Sequence, residues 1–150
     1  MKFGIYILST AFAFSILSGC KAVPPQVAGK WQGTTTLSTT YTPPGSGPSR
    51  TENTAVKFAL LLSQNGQTVQ GNATVTAGTS AIDIPITAGV VTPKGHLSLE
   101  GEKSILLTHA HFSFDGDARS GELAGTLHLA LGNVRGGADN HGSVTLTPVQ

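Results

Sequence analysis

The chain has 150 residues, with nine Lys or Arg against eight Asp or Glu and only 11% of positions charged. That balance leaves no electrostatic footprint for nucleic acid or for an anionic surface. Its single cysteine excludes a disulfide framework, and with no sustained 3.6-residue periodicity in the sequence an all-helical fold is excluded as well.

Lys2 is followed by an apolar run from Phe3 to Leu17 and then by Ser18-Gly19-Cys20. A positive start, an apolar core and small residues before a cut are the parts of a secretory signal. The run is about fifteen residues, short of the roughly 20 that span a bilayer. Leu17-Ser18-Gly19-Cys20 resembles a bacterial lipobox. The resemblance implies cleavage before Cys20, with lipid on its thiol and on the new amino group. Because Lys21 follows, where retention in the inner membrane usually takes Asp, it also implies lipid anchoring in the outer membrane of a diderm bacterium. The expected organisation is a signal peptide over 1–19, a lipidated Cys20 with its tether over 20–26, and one β domain over 27–150.

The segment from Cys20 onward carries eight Lys or Arg, eight Asp or Glu, eighteen Thr and seventeen Gly. Thr favours strands and Gly marks turns and close backbone approach. Lys21 to Gln26, with Pro24-Pro25, reads as a short stiff tether. A first strand is predicted from Val27 to Tyr41, with Val27, Gly29 and Trp31 on one face and Lys30, Gln32 and Thr34 on the other. Thr42 to Arg50 is an irregular Pro- and Gly-rich loop. The second strand, Asn53 to Gln64, sends Val56, Phe58, Leu60 and Leu62 inward, and Asn65-Gly66 is a hairpin signal.

The third strand, Gln67 to Thr76, turns Val69, Gly71, Ala73 and Val75 inward. The fourth does the same with Ile82, Ile84, Ile86 and Ala88, while Pro85 on its outward phase marks a bulge or a poorly paired edge. After the Thr92-Pro93-Lys94-Gly95 turn come a short strand from His96 to Glu100 and strands over Ser104 to Asp115, Glu122 to Leu131 and Ser143 to Val149. Asp115-Gly116-Asp117 reads as a turn, since it lacks the later bidentate Glu of a calcium loop. Gly132 to Gly142 reads as a flexible loop. Eight strands in sequence, joined mostly by short turns, predict an all-β antiparallel up-and-down barrel, with a β-sandwich as the alternative.

Gly29-Lys30-Trp31 resembles the Gly-x-Trp that opens the first strand of the calycins, the lipocalin and avidin group of eight-stranded barrels, where the tryptophan plugs one end. The closing strand, Ser143 to Val149, lacks the basic residue that covers this tryptophan in lipocalins, and Trp31 is the only tryptophan, so no avidin-like aromatic cage is built. The resemblance therefore implies the barrel and not the ligand. Trp31 is either a core side chain near a barrel end or a ligand contact. Gly71, Ala73, Ala88, Ala110 and Gly125 leave room that Phe58, Phe112 and Leu127 only partly fill. A narrow lumen for an acyl-like molecule would then be lined by Trp31, Phe58 and Phe112.

His109 and His111 share the polar face of one predicted strand and His128 that of the next. If the Asp115 to Gly121 connection places His109 across from His128, three imidazoles approach one another; a shift of two faces His111 against His128 instead. Such a set could ligate zinc with an open position, and otherwise the three are ordinary residues of a polar face. No nucleophile elbow, phosphate loop or His-Glu-x-x-His helix occurs in the sequence, and no cofactor beyond the covalent lipid is implied. The expectation is a non-enzymatic outer-membrane lipoprotein that acts as a binding or interaction module toward an envelope protein. The alternatives are a calycin-like carrier of a small apolar ligand and, third, a zinc-binding protein.

Overall fold

Period-two alternation of apolar and polar residues produces strands here throughout. The computed structural model describes residues 22–150 apart from residues 46, 134 and 135, and every regular element in it is a strand. The lipobox, Cys20 included, lies outside the described residues. The strands are β1 (Gly29–Thr42), β2 (Arg50–Asn65), β3 (Thr68–Ala77), β4 (Ser80–Val91), β5 (His96–Ile105), β6 (Thr108–Arg119), β7 (Glu122–Asn133) and β8 (Gly136–Pro148). Each pairs antiparallel with the next, and β1 pairs with β8 to close the barrel. Among the described residues every strand has a neighbour on both sides.

Alternation also decides what fills the interior. Phe58, Leu60 and Leu62 of β2, Leu97 and Leu99 of β5, Phe112 and Phe114 of β6, and Leu127 and Leu129 of β7 are all buried. Lys57, His111 and Asp115, one residue out of phase with these, are exposed. The apolar face points inward, the reverse of a barrel that spans a membrane with its strands.

Three departures from the expected register have local causes. The first is a register shift of β4 against β5 between Ile86 and Ala88. It reverses the inward phase, so that Gly89 and Val91 are buried and Ala88 is exposed. The irregularity lies just beyond Pro85, which is itself paired with Asn72 inside the closed sheet. Second, Asp115-Gly116-Asp117 is not a turn. It belongs to β6, and the chain reverses at Ser120-Gly121, where Arg119 pairs with Glu122. Third, most of the segment expected to be a loop, from Gly136 onward, is the first half of β8.

The inward glycines are sites of backbone contact and do not leave space. A Cβ on Gly125 would meet the Asp115 carbonyl oxygen at 2.3 Å and the Gly116 Cα at 2.7 Å, and one on Gly71, at φ +150°, would meet the Leu61 carbonyl oxygen at 1.9 Å. Gly116 and Gly125 face each other in the β6–β7 ladder, which lets the two strands approach closely and coil. Repeated kinks of this kind allow a small sheet to curl shut.

The end of the tether is held to the barrel through Pro25. Val27 is fully buried, its N–H donates to Gln64 Oε1 at 2.7 Å, and its carbonyl accepts from Trp31 Nε1 at 2.8 Å. Gln64 Nε2 also donates to the Pro25 carbonyl at 3.1 Å. Residues 25–28 are thereby fixed to the end of the barrel where β1 begins, here called the near end. The turns β2–β3, β4–β5 and β6–β7 share that end, while β1–β2, β3–β4 and β5–β6 lie at the far end.

Candidate functional site

The three residues expected to line a lumen all lie in the core. Trp31 is 7% exposed near the near end, tied by its indole N–H to Val27. Phe58 and Phe112 are fully buried, with ring centroids 5.7 Å apart and planes tilted by 36°. Phe58 stands on β2 and Phe112 on β6, four strands apart whichever way one counts around an eight-stranded ring. Side chains from opposite walls therefore meet at the middle of the barrel. An eight-stranded barrel is just wide enough to be filled by side chains or to hold one small ligand, and here rings occupy the waist. A groove of about 520 Å³ lies on the outer wall against Gln32, Thr34, Lys57, Thr74 and Thr147.

The far half of the interior holds one buried polar side chain among the described residues, Asn140. Its amide donates to the Leu129 carbonyl at 2.7 Å, and its Oδ1 accepts from Thr39 Oγ1 at 2.7 Å. A buried amide without these partners would be costly.

The histidines lie on the outer face, as the alternation predicts, but in another register. His109 faces Gly132, His111 faces Ala130 and His128 faces Ser113. Neither expected pairing forms, because residues 115–119 continue β6 and the tight Ser120-Gly121 turn sets the ladder. His109 Nδ1 lies 3.0 Å from Ser104 Oγ. No group of three or more His, Cys, Asp or Glu able to hold a metal ion occurs among the described residues. Two further histidines, His96 and His141, also lie on the outer face. His141 faces His128 directly across β7 and β8, and His128 Nε2 is hydrogen-bonded to Asp139 Oδ1. His96 lies 3.2 Å from Asp115 and 3.6 Å from Asp117.

The most anomalous surface feature was hidden in the sequence. Ile105-Leu106-Leu107-Thr108 carries no Gly, Pro, Asn, Asp or Ser, yet the chain reverses at Leu106-Leu107 and pairs Ile105 with Thr108. Leu106 is 98% exposed and Leu107 80%. Leu106 also has φ 55°, the only non-glycine with positive φ among the described residues. In two other two-residue hairpins of this barrel the same first loop position is glycine, Gly66 at φ 62° and Gly78 at φ 59°. A left-handed conformation costs a side-chain-bearing residue about 1–2 kcal/mol. Exposure of two leucines adds no burial to offset that cost.

Leu106→Gly should accordingly raise stability by about 0.5–1 kcal/mol, since the relieved strain exceeds the entropy that glycine loses on folding. The expected rise in melting temperature is roughly 2–5 °C. A fall on thermal unfolding would show that Leu106 contributes packing that its exposure does not reveal.

The chain matches no known family model, and no curated protein matches it.

Proposed function

We propose that this chain is a lipid-anchored interaction module of the bacterial outer membrane, a non-enzymatic barrel whose far end presents Leu106 and Leu107 to an envelope protein. The exposed leucine tip carries the proposal. Strain and exposure held together at one point, in a barrel whose other tight turns use glycine, are expected where a position serves contact instead of stability.

The rest of the geometry supports the same reading. The lipobox resemblance puts the anchor at Cys20, and residues 25–28 are fixed at the near end. Only a few residues separate the two, roughly 17 Å of chain at full extension. The near end then faces the bilayer. The β5–β6 hairpin lies at the far end, so the leucine tip is at the opposite end of the barrel from the tether. A filled waist supports an interaction module over a carrier of an apolar ligand.

A photo-crosslinking amino acid placed at Leu107 of the membrane-anchored chain, in the living host, should give a discrete adduct. A crosslinker at Thr79, in another hairpin of the same end, should not. Leu106→Asn should abolish the Leu107 adduct without loss of the folded barrel. Equal labelling from both positions, or none from either, would defeat the proposal.

A further inference from the structure

We propose that His128 and His141 form a two-imidazole chelate for a divalent transition-metal ion on the outer wall, with Asp139 positioning His128. The two histidines are direct cross-strand partners on β7 and β8. Both are on the outward phase: their neighbours Leu127, Leu129 and Asn140 are buried, and His141 is exposed. Directly opposed residues of an antiparallel pair have Cβ atoms about 4.5–5.5 Å apart. Two nitrogens on one ion at about 2.0–2.1 Å each lie roughly 3–4 Å apart, so two imidazoles leaning toward one another from this spacing can share an ion. The strands on either side hold them rigidly, because both belong to a closed sheet.

Asp139 lies two residues from His141 on the same face. It engages His128 Nε2 in a hydrogen bond, which leaves Nδ1 of His128 as the ligating nitrogen. A carboxylate on the second ring nitrogen is the usual outer partner of a metal-bound histidine, fixing the ring and raising its basicity. No metal-ready group of three His, Cys, Asp or Glu is gathered among the described residues, so binding would turn the His141 ring toward His128, and water would complete the coordination. Nitrogen donors with a nearby carboxylate favour copper(II) over nickel(II) and zinc(II) in affinity.

The other groups facing this patch are not ligands by position. Ser113 faces His128 from β6, and Ser38 faces His141 from β1. His111 faces Ala130 and is only a diagonal neighbour of His128; His109 is a further two residues away.

Titration of the purified full chain with copper(II), and then with zinc(II), followed by calorimetry and by electron paramagnetic resonance of the copper form, tests this. One saturable ion per chain and a copper signal split by two imidazole nitrogens are expected. His128→Ala and His141→Ala should each weaken binding at least tenfold and leave one nitrogen or none. Asp139→Asn should weaken it roughly tenfold, whereas His109→Ala should change it by less than twofold. All four positions are on the outer wall, so an unchanged circular dichroism spectrum keeps the comparison clean. No saturable binding up to about 1 mM metal, the weak end of useful affinity, would overturn the inference. So would unchanged affinity in either His128→Ala or His141→Ala.

Discussion

Phe112→Ala should destabilise the barrel by about 3–5 kcal/mol, the range for truncating a buried aromatic. The cost should fall toward the upper end. Phe112 is flanked in register by Gly101 on one side and Leu129 on the other. Gly101 has no side chain to move, and its Cα is already pressed against the Pro85 carbonyl, where a Cβ would sit at 2.5 Å. The wall cannot collapse inward, and the vacated volume persists beside Phe58. Thermal unfolding should shift down by roughly 10–20 °C. Leu107→Ala, which removes a side chain of similar hydrophobicity from an 80% exposed position, should shift it by less than 2 °C, on the order of 0.5 kcal/mol. The Phe112→Ala variant should in addition acquire a site for small apolar molecules, because dry cavities lined by Leu and Phe take such ligands. A loss below about 1 kcal/mol, too small for a packed core aromatic, would mean that the rings do not fill the waist, and the carrier reading would regain its ground.

Cys20→Ser should abolish fatty-acid labelling and reduce recovery in the outer-membrane fraction at least tenfold, because Cys20 is the only thiol in the chain. Stable anchoring requires more than one acyl chain or a second signal, and the neutral side-chain balance from Cys20 onward supplies no electrostatic substitute. Labelling and cleavage at the same position in the variant would refute lipid anchoring. The barrel itself would be unaffected by that outcome.

What was legible in the sequence follows from which features have local causes. Val56, Phe58, Leu60 and Leu62 alternate with polar neighbours, and burying them on one face is a property of the strand alone. They are buried as expected. Turns built from Asn-Gly or Pro-Lys-Gly announce themselves through backbone conformations that glycine reaches cheaply. The Leu106-Leu107 turn does not. It is enforced by pairing on both sides, Lys103 with Ala110 and Ile105 with Thr108, and reads locally as more strand. The histidine register depended on where β6 ends. Asp115 to Arg119 looks like a loop by composition, but its outward carboxylates meet His96 on β5 and its inward Ala118 packs on the core. The glycines misled for a related reason. A missing side chain can mean either empty space or a neighbouring strand pressed close, and only the pairing of Gly116 with Gly125 distinguishes them. Trp31 was legible as an end-of-barrel residue, whereas its grip on the tether through Val27 required the fold.

The joint between β1 and β8 also sets the order of events in biogenesis. Its partners lie about a hundred positions apart, as in the bond from Thr39 to Asn140, and contacts of such long span make folding slow. Synthesis delivers the amino-terminal end first, so β1 must wait, with one flank unsatisfied, for the last strand to emerge. Up to that moment the chain presents two raw sheet margins, which are templates for misassembly. Any factor that handles the chain before closure would have to carry an unclosed sheet, or else hold the chain until Gly136 to Pro148 arrives to complete the ring.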